Sequence, residues 1–192
     1  MKYKDAIIEQ VDKYAQHDKT RFIGYNTVYG SRMYGTLNNI PVDKCIESPI
    51  AENLMVGMAI GMALEGYLPV VCFERHDFML LAIDALVNHV DKLPQISGQQ
   101  FRLPIIIRAI VGGTRPIDPG PMHKQNYTSG LSWLLKNTPV YEPATYSDIV
   151  DSWNGVGWNK IRNEGKKVPE RASSGAIVIV ERKDMYETEI SP

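Results

Sequence analysis

The chain has little cysteine, little net charge and no long apolar run. Only two of its 192 residues are cysteine, Cys45 and Cys72, and both lie in apolar, strand-like stretches. Two such thiols argue for a reducing compartment and against a disulfide framework. A formal net charge of -1 offers no hint of a nucleic-acid or membrane partner. The start, M-K-Y-K-D-A-I-I-E-Q, has no apolar signal core. The longest apolar run, Leu54 to Leu64, is too short to span a bilayer. The expected location is therefore cytoplasmic. Several chemistries are also missing. No G-x-G-x-x-G follows a strand, no Walker loop is present, and no G-x-S-x-G elbow occurs. The four histidines, His17, His76, His89 and His123, lack the spacing of metal ligands, so no metal site is expected in this chain.

What remains is an ordinary globular composition, 44% apolar and 22% charged, on a length that suits one domain. Short apolar runs alternate with helical patterns. Tyr3 to Ala15 carries Ala6, Ile7, Val11 and Tyr14 at helical spacing. Arg21 to Asn26 reads as a strand, and the Gly- and Tyr-rich stretch Val28 to Leu37 as a loop. Leu68 to Phe73 and Arg102 to Ala109 are continuous apolar runs, as in strands covered on both faces. His76 to Leu93 reads as a strong helix. Val111 to Gln125 is too rich in Gly and Pro for regular structure. A helix over about Asn126 to Lys136, a strand at Pro139 to Glu142 and a helix from Tyr146 follow. A polar excursion at about 153–174 precedes a last strand, Ser174 to Arg182. This alternation predicts a three-layer, doubly wound α/β domain: a mainly parallel sheet of about six strands with helices on both faces. Ligands of such sheets bind beyond the carboxyl ends of the strands. Three segments lie there: Glu47 to Glu52, Glu74 to Phe78, and Val111 to Gln125.

The stretch E-S-P-I-A-E-N-L-M-V-G-M-A-I-G-M-A-L-E-G, Glu47 to Gly66, organises the rest. Ser48 suits an N-cap, Pro49 a first helical position and Gly66 a terminator. Gly57 and Gly61, four apart, thin one helix face at about 1 kcal/mol each relative to Ala. They imply a close approach to another element. Glu52 is a lone carboxylate in the first turn, either a dipole-favoured surface group or a half-buried functional acid. As isolated features, His76 and His123 read as surface or loop histidines, Arg108 as an ion-pair partner and Phe78 as core.

Taken together, several stretches resemble the pyrimidine-binding domain of thiamine-diphosphate enzymes, closest to the beta subunit of the decarboxylating component of 2-oxoacid dehydrogenase complexes. They are E-S-P-I-A-E-N-L-M-V-G-M-A-I-G-M-A-L-E-G-Y-L-P-V-V, D-F-M-L-L-A-I-D-A-L-V-N-H-V-D-K, S-G-Q-Q-F-R-L-P-I-I-I-R, M-H-K-Q and A-I-V-I-V-E-R-K-D-M-Y, in the family's order. The resemblance implies that Glu52 hydrogen-bonds N1′ of the aminopyrimidine and handles its proton. It implies that Phe78 stacks on that ring, that Leu54 also contacts the cofactor, and that His123 faces the substrate. It makes Gly57 and Gly61 a subunit contact. The cofactor implied is thiamine diphosphate, with Mg2+ held by a partner.

Three departures refine the expectation. Gly24 is followed by Tyr25 and Asn26 where the family usually has an acidic pair. Glu74, Arg75 and His76 replace mostly apolar or small residues. Arg75, His76 and Arg115, with Arg108, are therefore candidates for a polar or anionic substrate. The chain also ends soon after Tyr186 and lacks the G-D-G…N signature of Mg-diphosphate binding. The expectation is a single pyrimidine-binding domain, inactive alone, that pairs with a diphosphate-binding alpha-type subunit in a heterotetramer. Its substrate would be a 2-oxoacid. The alternatives are a transketolase-like or carboligase subunit acting on a ketol donor, a non-catalytic subunit that keeps the fold, and a plain flavodoxin-like module.

Overall fold

The computed structural model describes residues 1–115, 117–155 and 174–191. Most of the polar excursion expected at about 153–174 lies outside the described residues. Six strands form one sheet in the order β2-β1-β3-β4-β6-β5, and every pairing is parallel. They are β1 (Thr20–Gly24), β2 (Cys45–Glu47), β3 (Leu68–Phe73), β4 (Ile106–Val111), β5 (Val140–Tyr141) and β6 (Ile177–Arg182). Successive residues of the inner strands alternate between two cores. Val71, Phe73, Ile107, Ala109, Val178 and Val180 join one; Val70, Cys72, Ile106, Ile110, Ile177 and Ile179 join the other. A sheet buried on both faces needs apolar residues at every position, which is why these strands read as unbroken apolar runs.

Helices cover both faces. The first core packs α2 (Glu52–Leu64) through Met55, Val56, Ala59 and Ala63. The second packs α1 (Tyr3–Ala15) and, beside it, α6 (Tyr146–Asn154). Thr145 caps α6 through a reciprocal box with Asp148: each side chain accepts the other residue's backbone N–H. Gly66, at φ +77°, ends α2 as expected. Its N–H donates to Ala63, and the N–H of Tyr67 donates to Met62, the paired bonds of a left-handed C-terminal cap.

Two expected elements are corrected. The stretch His76 to Leu93 is not one regular helix. It runs as α3 (His76–Met79), a 3₁₀ turn (Leu80–Ala82) and a π-helical turn (Ala85–Val90), followed by α4 (Leu93–Ile96). Pro94 has no N–H to continue a helix, so α4 restarts there. The wider π turn bonds Asp91 N to Leu86 O and carries Asp91 into the interior. There its carboxylate accepts the N–H of Asn137 at 2.7 Å and of Lys136 at 3.2 Å. The strand expected at Arg102–Ala109 starts four residues later, at Ile106, because Pro104 interrupts the hydrogen-bond ladder of a central strand.

The chain passes from β1 outward to β2, then returns to the other side of β1 as β3. Connections therefore leave β1 and β3 in opposite directions. The crevice beyond their carboxyl ends is the switch point where ligands bind in doubly wound sheets.

Candidate active site

Glu47 organises the floor of this crevice. Its carboxylate accepts the backbone N–H groups of Asn26 (2.6 Å), Thr27 (3.0 Å) and Val28 (2.8 Å), and the Thr27 hydroxyl at 3.2 Å. Partial burial raises its pKa, but these four donors outweigh that and hold it below the usual carboxylate range. They fix the turn that follows β1. Beyond Glu47 the chain stays extended, since a residue before proline is pushed out of helical geometry. This corrects the expected helix start. Ser48 is not the N-cap and Pro49 is not the first helical residue. Ala51 precedes the helix without a side-chain cap, and Glu52 is its first residue. That shift carries Glu52 into the protein, where it is 4% exposed at the positive end of α2. Among the described residues no donor is bonded to its carboxylate.

Three other strand exits supply its neighbours. Tyr25 follows β1; its hydroxyl is buried without a hydrogen-bond partner. Burial, and then the charge of Glu52, push its pKa up, so it stays protonated. The Tyr25 ring lies 6.3 Å from Phe78, which follows β3. Phe78 meets His123, from the loop after β4, edge-on at 5.4 Å. The Ser48 hydroxyl is a further buried group without a partner. An open cleft of about 350 Å³ is lined by Tyr34, Glu74, Arg75, Phe78, Pro119 and His123. Glu52, Phe78 and His123 are thus linked through Tyr25 around one crevice, from segments 26 to 71 residues apart in sequence.

Gly112 sets the position of His123. A Cβ at Gly112 would stand 1.9 Å from the His123 carbonyl oxygen, with backbone rather than a flexible side chain in the way. Gly112→Ala is expected to displace His123 from Phe78. Chemical shifts of the His123 ring protons, which feel the Phe78 ring current, check this: an unchanged His123 signal would contradict it.

The other expected site residues divide. Arg75 lines the cleft, its guanidinium 5.0 Å from the centre of the Tyr34 ring. His76 does not reach the cleft surface. It is fully buried, takes the Tyr127 N–H on Nδ1 at 3.4 Å, and leaves Nε2 without a partner. Burial lowers its pKa to about 4, so it is a neutral support beneath the site. Arg115 is exposed in the loop, outside the cleft lining. Arg108 is withdrawn into the second core, paired with Glu181. Leu54 is 48% exposed on the outer face of α2. Gly57 and Gly61 share that face, and a Cβ at either would meet nothing within 4 Å. The thin face of the helix is therefore not used by the described residues.

Tyr34 lines the cleft and Lys183 reaches the Tyr34 ring, and neither was singled out by sequence; Tyr25 was noted only as a departure from the family's acidic pair. Their signals are positional. Tyr25 follows the strand-end glycine of β1, Lys183 follows β6, and Tyr34 sits between Gly30 and Gly35. Arg32, Met33 and Tyr34 all adopt left-handed backbone, at φ of 46°, 53° and 55°. Such residues cost about 1–2 kcal/mol each. The turn holds because Met33 and Leu37 are buried, and because Arg32 donates to Thr27 O at 3.1 Å and Ile40 O at 2.8 Å.

These features define a doubly wound α/β domain whose ligand site opens at the β1–β3 crevice. The family described as "Transketolase, pyrimidine binding domain" matches residues 1–154, and the chain belongs to it. The chain is similar to the "Pyruvate dehydrogenase E1 component subunit beta" of Gracilaria tenuistipitata var. liui, 35% identical over 152 residues. It is also similar to the protein of that name from Rickettsia conorii, 31% identical over 153 residues. The matches cover 70% and 77% of this chain but only 45% of each relative. The chain thus spans under half their length. A solved chain described as "Split gene transketolase, inactive beta4 tetramer" shares the fold. Its TM-score is 0.63 over 95% of this chain and 52% of that one, at 16% identity.

Proposed function

We propose that this domain forms the aminopyrimidine side of a thiamine-diphosphate site, in an enzyme that decarboxylates a 2-oxoacid and passes on the acyl or aldehyde fragment. The observation that carries this reading is Glu52: a buried carboxylate with no donor bonded to it among the described residues, whose charge acts on Tyr25, the ring next to Phe78 and, through it, His123. The local residues fit an aminopyrimidine. Phe78 offers a flat apolar ring, Glu52 an acceptor for a ring-nitrogen proton, and the unpartnered Tyr25 and Ser48 hydroxyls further polar contacts. When bound, the cofactor supplies an electron sink for carbanion chemistry. Glu52 holds and exchanges the proton at the pyrimidine nitrogen. Phe78 fixes the plane of the ring. His123 faces the substrate and can move a proton to or from it. His76, neutral and buried, adds no charge to the site.

Mg2+ and the diphosphate fall, in this reading, to a separate alpha-type subunit. The support is the open Gly57–Gly61 face and the similarity to proteins named as beta subunits. Assembly as a heterotetramer would cover that face. Two buried free thiols suit a reducing cytoplasm. No described helix is long and apolar enough to cross a membrane. Coexpression with the diphosphate-binding subunit is expected to give a complex that binds thiamine diphosphate and decarboxylates a 2-oxoacid, while the lone chain does neither. Turnover by the lone chain would overturn the split site. A ketol donor is the second reading, favoured by the polar cleft wall of Glu74 and Arg75; transketolase-type turnover by the complex would select it.

A further inference from the structure

The cleft lining holds one cation, Arg75, and a second, Lys183, reaches the same lining tyrosine from the segment after β6. Arg75 and Lys183 converge on one ring: the guanidinium of Arg75 is 5.0 Å, and the ammonium of Lys183 4.9 Å, from the centre of Tyr34. Neither forms an ion pair among the described residues. The carboxylate closest in sequence, Glu74, is already engaged: Oε2 accepts from Asn26 Nδ2 at 2.8 Å, and Oε1 from the Ser31 hydroxyl. Arg75 donates to the backbone oxygen of Glu74, at 3.2 Å, and also to the Tyr34 hydroxyl. Glu187, whose charge acts on Lys183, is itself bonded to Lys2 at 2.6 Å. Partial burial, and then the charges of Lys4 and Arg75, lower the pKa of Lys183. Two like charges are thus held near each other, beside an open cleft, on a tyrosine presented by three successive left-handed residues. Strain of this kind persists where surrounding structure fixes it and commonly marks a site of function.

We propose that Arg75 and Lys183 bind a second anionic group of the substrate, remote from the reacting carbonyl. The preferred donor is then a dianion: a 2-oxoacid or ketol that ends in a carboxylate or a phosphate. This rests on the reading of the cleft as the substrate site. Arg75 supplies a planar fork suited to either oxyanion, and Lys183 a point charge. Glu74 is tied to Asn26 and Ser31 and forms no ion pair with Arg75 among the described residues.

Two measurements test this. In the assembled complex, kcat/KM is compared for a monoanionic 2-oxoacid, a 2-oxo dicarboxylate and a phosphorylated ketol. One of the dianions is expected to be preferred at least about 10-fold, the worth of one charge-assisted hydrogen bond. Arg75→Gln and Lys183→Gln are each expected to remove about 10-fold or more for that dianion, mainly through KM, and to lower the dianion-to-monoanion ratio of kcat/KM. Arg75→Lys restores part of the loss. The better dianion tells carboxylate from phosphate. Equal losses on all donors, or preference for the monoanion, would overturn the proposal. The second measurement uses the isolated full chain, with inorganic phosphate as the probe, followed by amide shifts of Tyr34, Arg75 and Lys183. Saturable shifts that vanish in Arg75→Gln support the subsite even if the complex turns over no donor, a result that would count against the proposed function alone. Absence of any shift at millimolar phosphate, with the variants folded as judged by near-UV circular dichroism, overturns it.

Discussion

Glu52→Gln is expected to lower turnover of the assembled enzyme by about 10²–10⁴-fold, the usual contribution of a positioned acid–base group. The same change is expected to leave the melting temperature of the chain unchanged or raise it. The two effects have one cause. A carboxylate at 4% exposure, with no donor bonded to it among the described residues, is a group the fold accommodates without benefit. The helix N-terminus offsets part of that burial, and Tyr25, held neutral, adds no second charge. Gln keeps the shape and removes the charge, so folding loses nothing while the proton handle is lost. Loss of activity with retained or greater stability is the signature of a residue kept for chemistry. Kinetics of the complex and thermal unfolding of the lone chain check the pair. Unchanged turnover would favour a non-catalytic subunit that keeps the fold, and a large fall in melting temperature would make Glu52 structural.

The central strands and both covers of the sheet were legible because burial on two faces leaves an unmistakable pattern. Val70 to Phe73 and Ile106 to Ile110 contain scarcely a polar residue. The start of α2 was less legible. Ser48 and Pro49 have the chemistry of a cap and a first turn, but Glu47 spends its side chain on the Asn26–Val28 turn, and the Ser-Pro bond stays extended. The helix begins at the acid instead, which is what buries it. His76 looked like a cleft residue because it stands between Arg75 and Phe78. At the start of a helix, neighbours in sequence point in different directions, and His76 points inward. Arg108 offered no local signal for its partner, since Glu181 lies 73 residues away. The cations on Tyr34 were hidden for the same reason: Arg75 follows β3 and Lys183 follows β6, and only the folded sheet brings those exits together.

Arg108→Ala is expected to destabilise the chain by about 3–5 kcal/mol, the cost of leaving one partner of a buried ion pair alone. For a domain of this size that lowers the melting temperature by about 6–20 °C. The guanidinium is fully buried. Its Nε and Nη2 donate to the two oxygens of Glu181 at 2.6 and 3.1 Å, and Nη2 also to the Thr36 hydroxyl at 3.1 Å. The Tyr186 hydroxyl donates to Glu181 at 2.7 Å, while Nη1 has no partner. A single truncation therefore strands a buried carboxylate with one neutral donor. Replacing the group as a unit, by Arg108→Met, Glu181→Leu and Tyr186→Phe, leaves no stranded charge and is expected to recover most of the stability. A buried pair is often worth little more than well-packed apolar side chains of similar volume. Function should not recover to the same degree. Thr36 keeps its bond to Met33 but loses its tether to the sheet, and the left-handed turn that carries Ser31 and Tyr34 is held more loosely. Amide exchange at Ser31–Thr36 is expected to stay fast in the triple variant while the global melt returns toward normal. If both recover together, the network serves the fold alone and does not hold Tyr34 against the cleft.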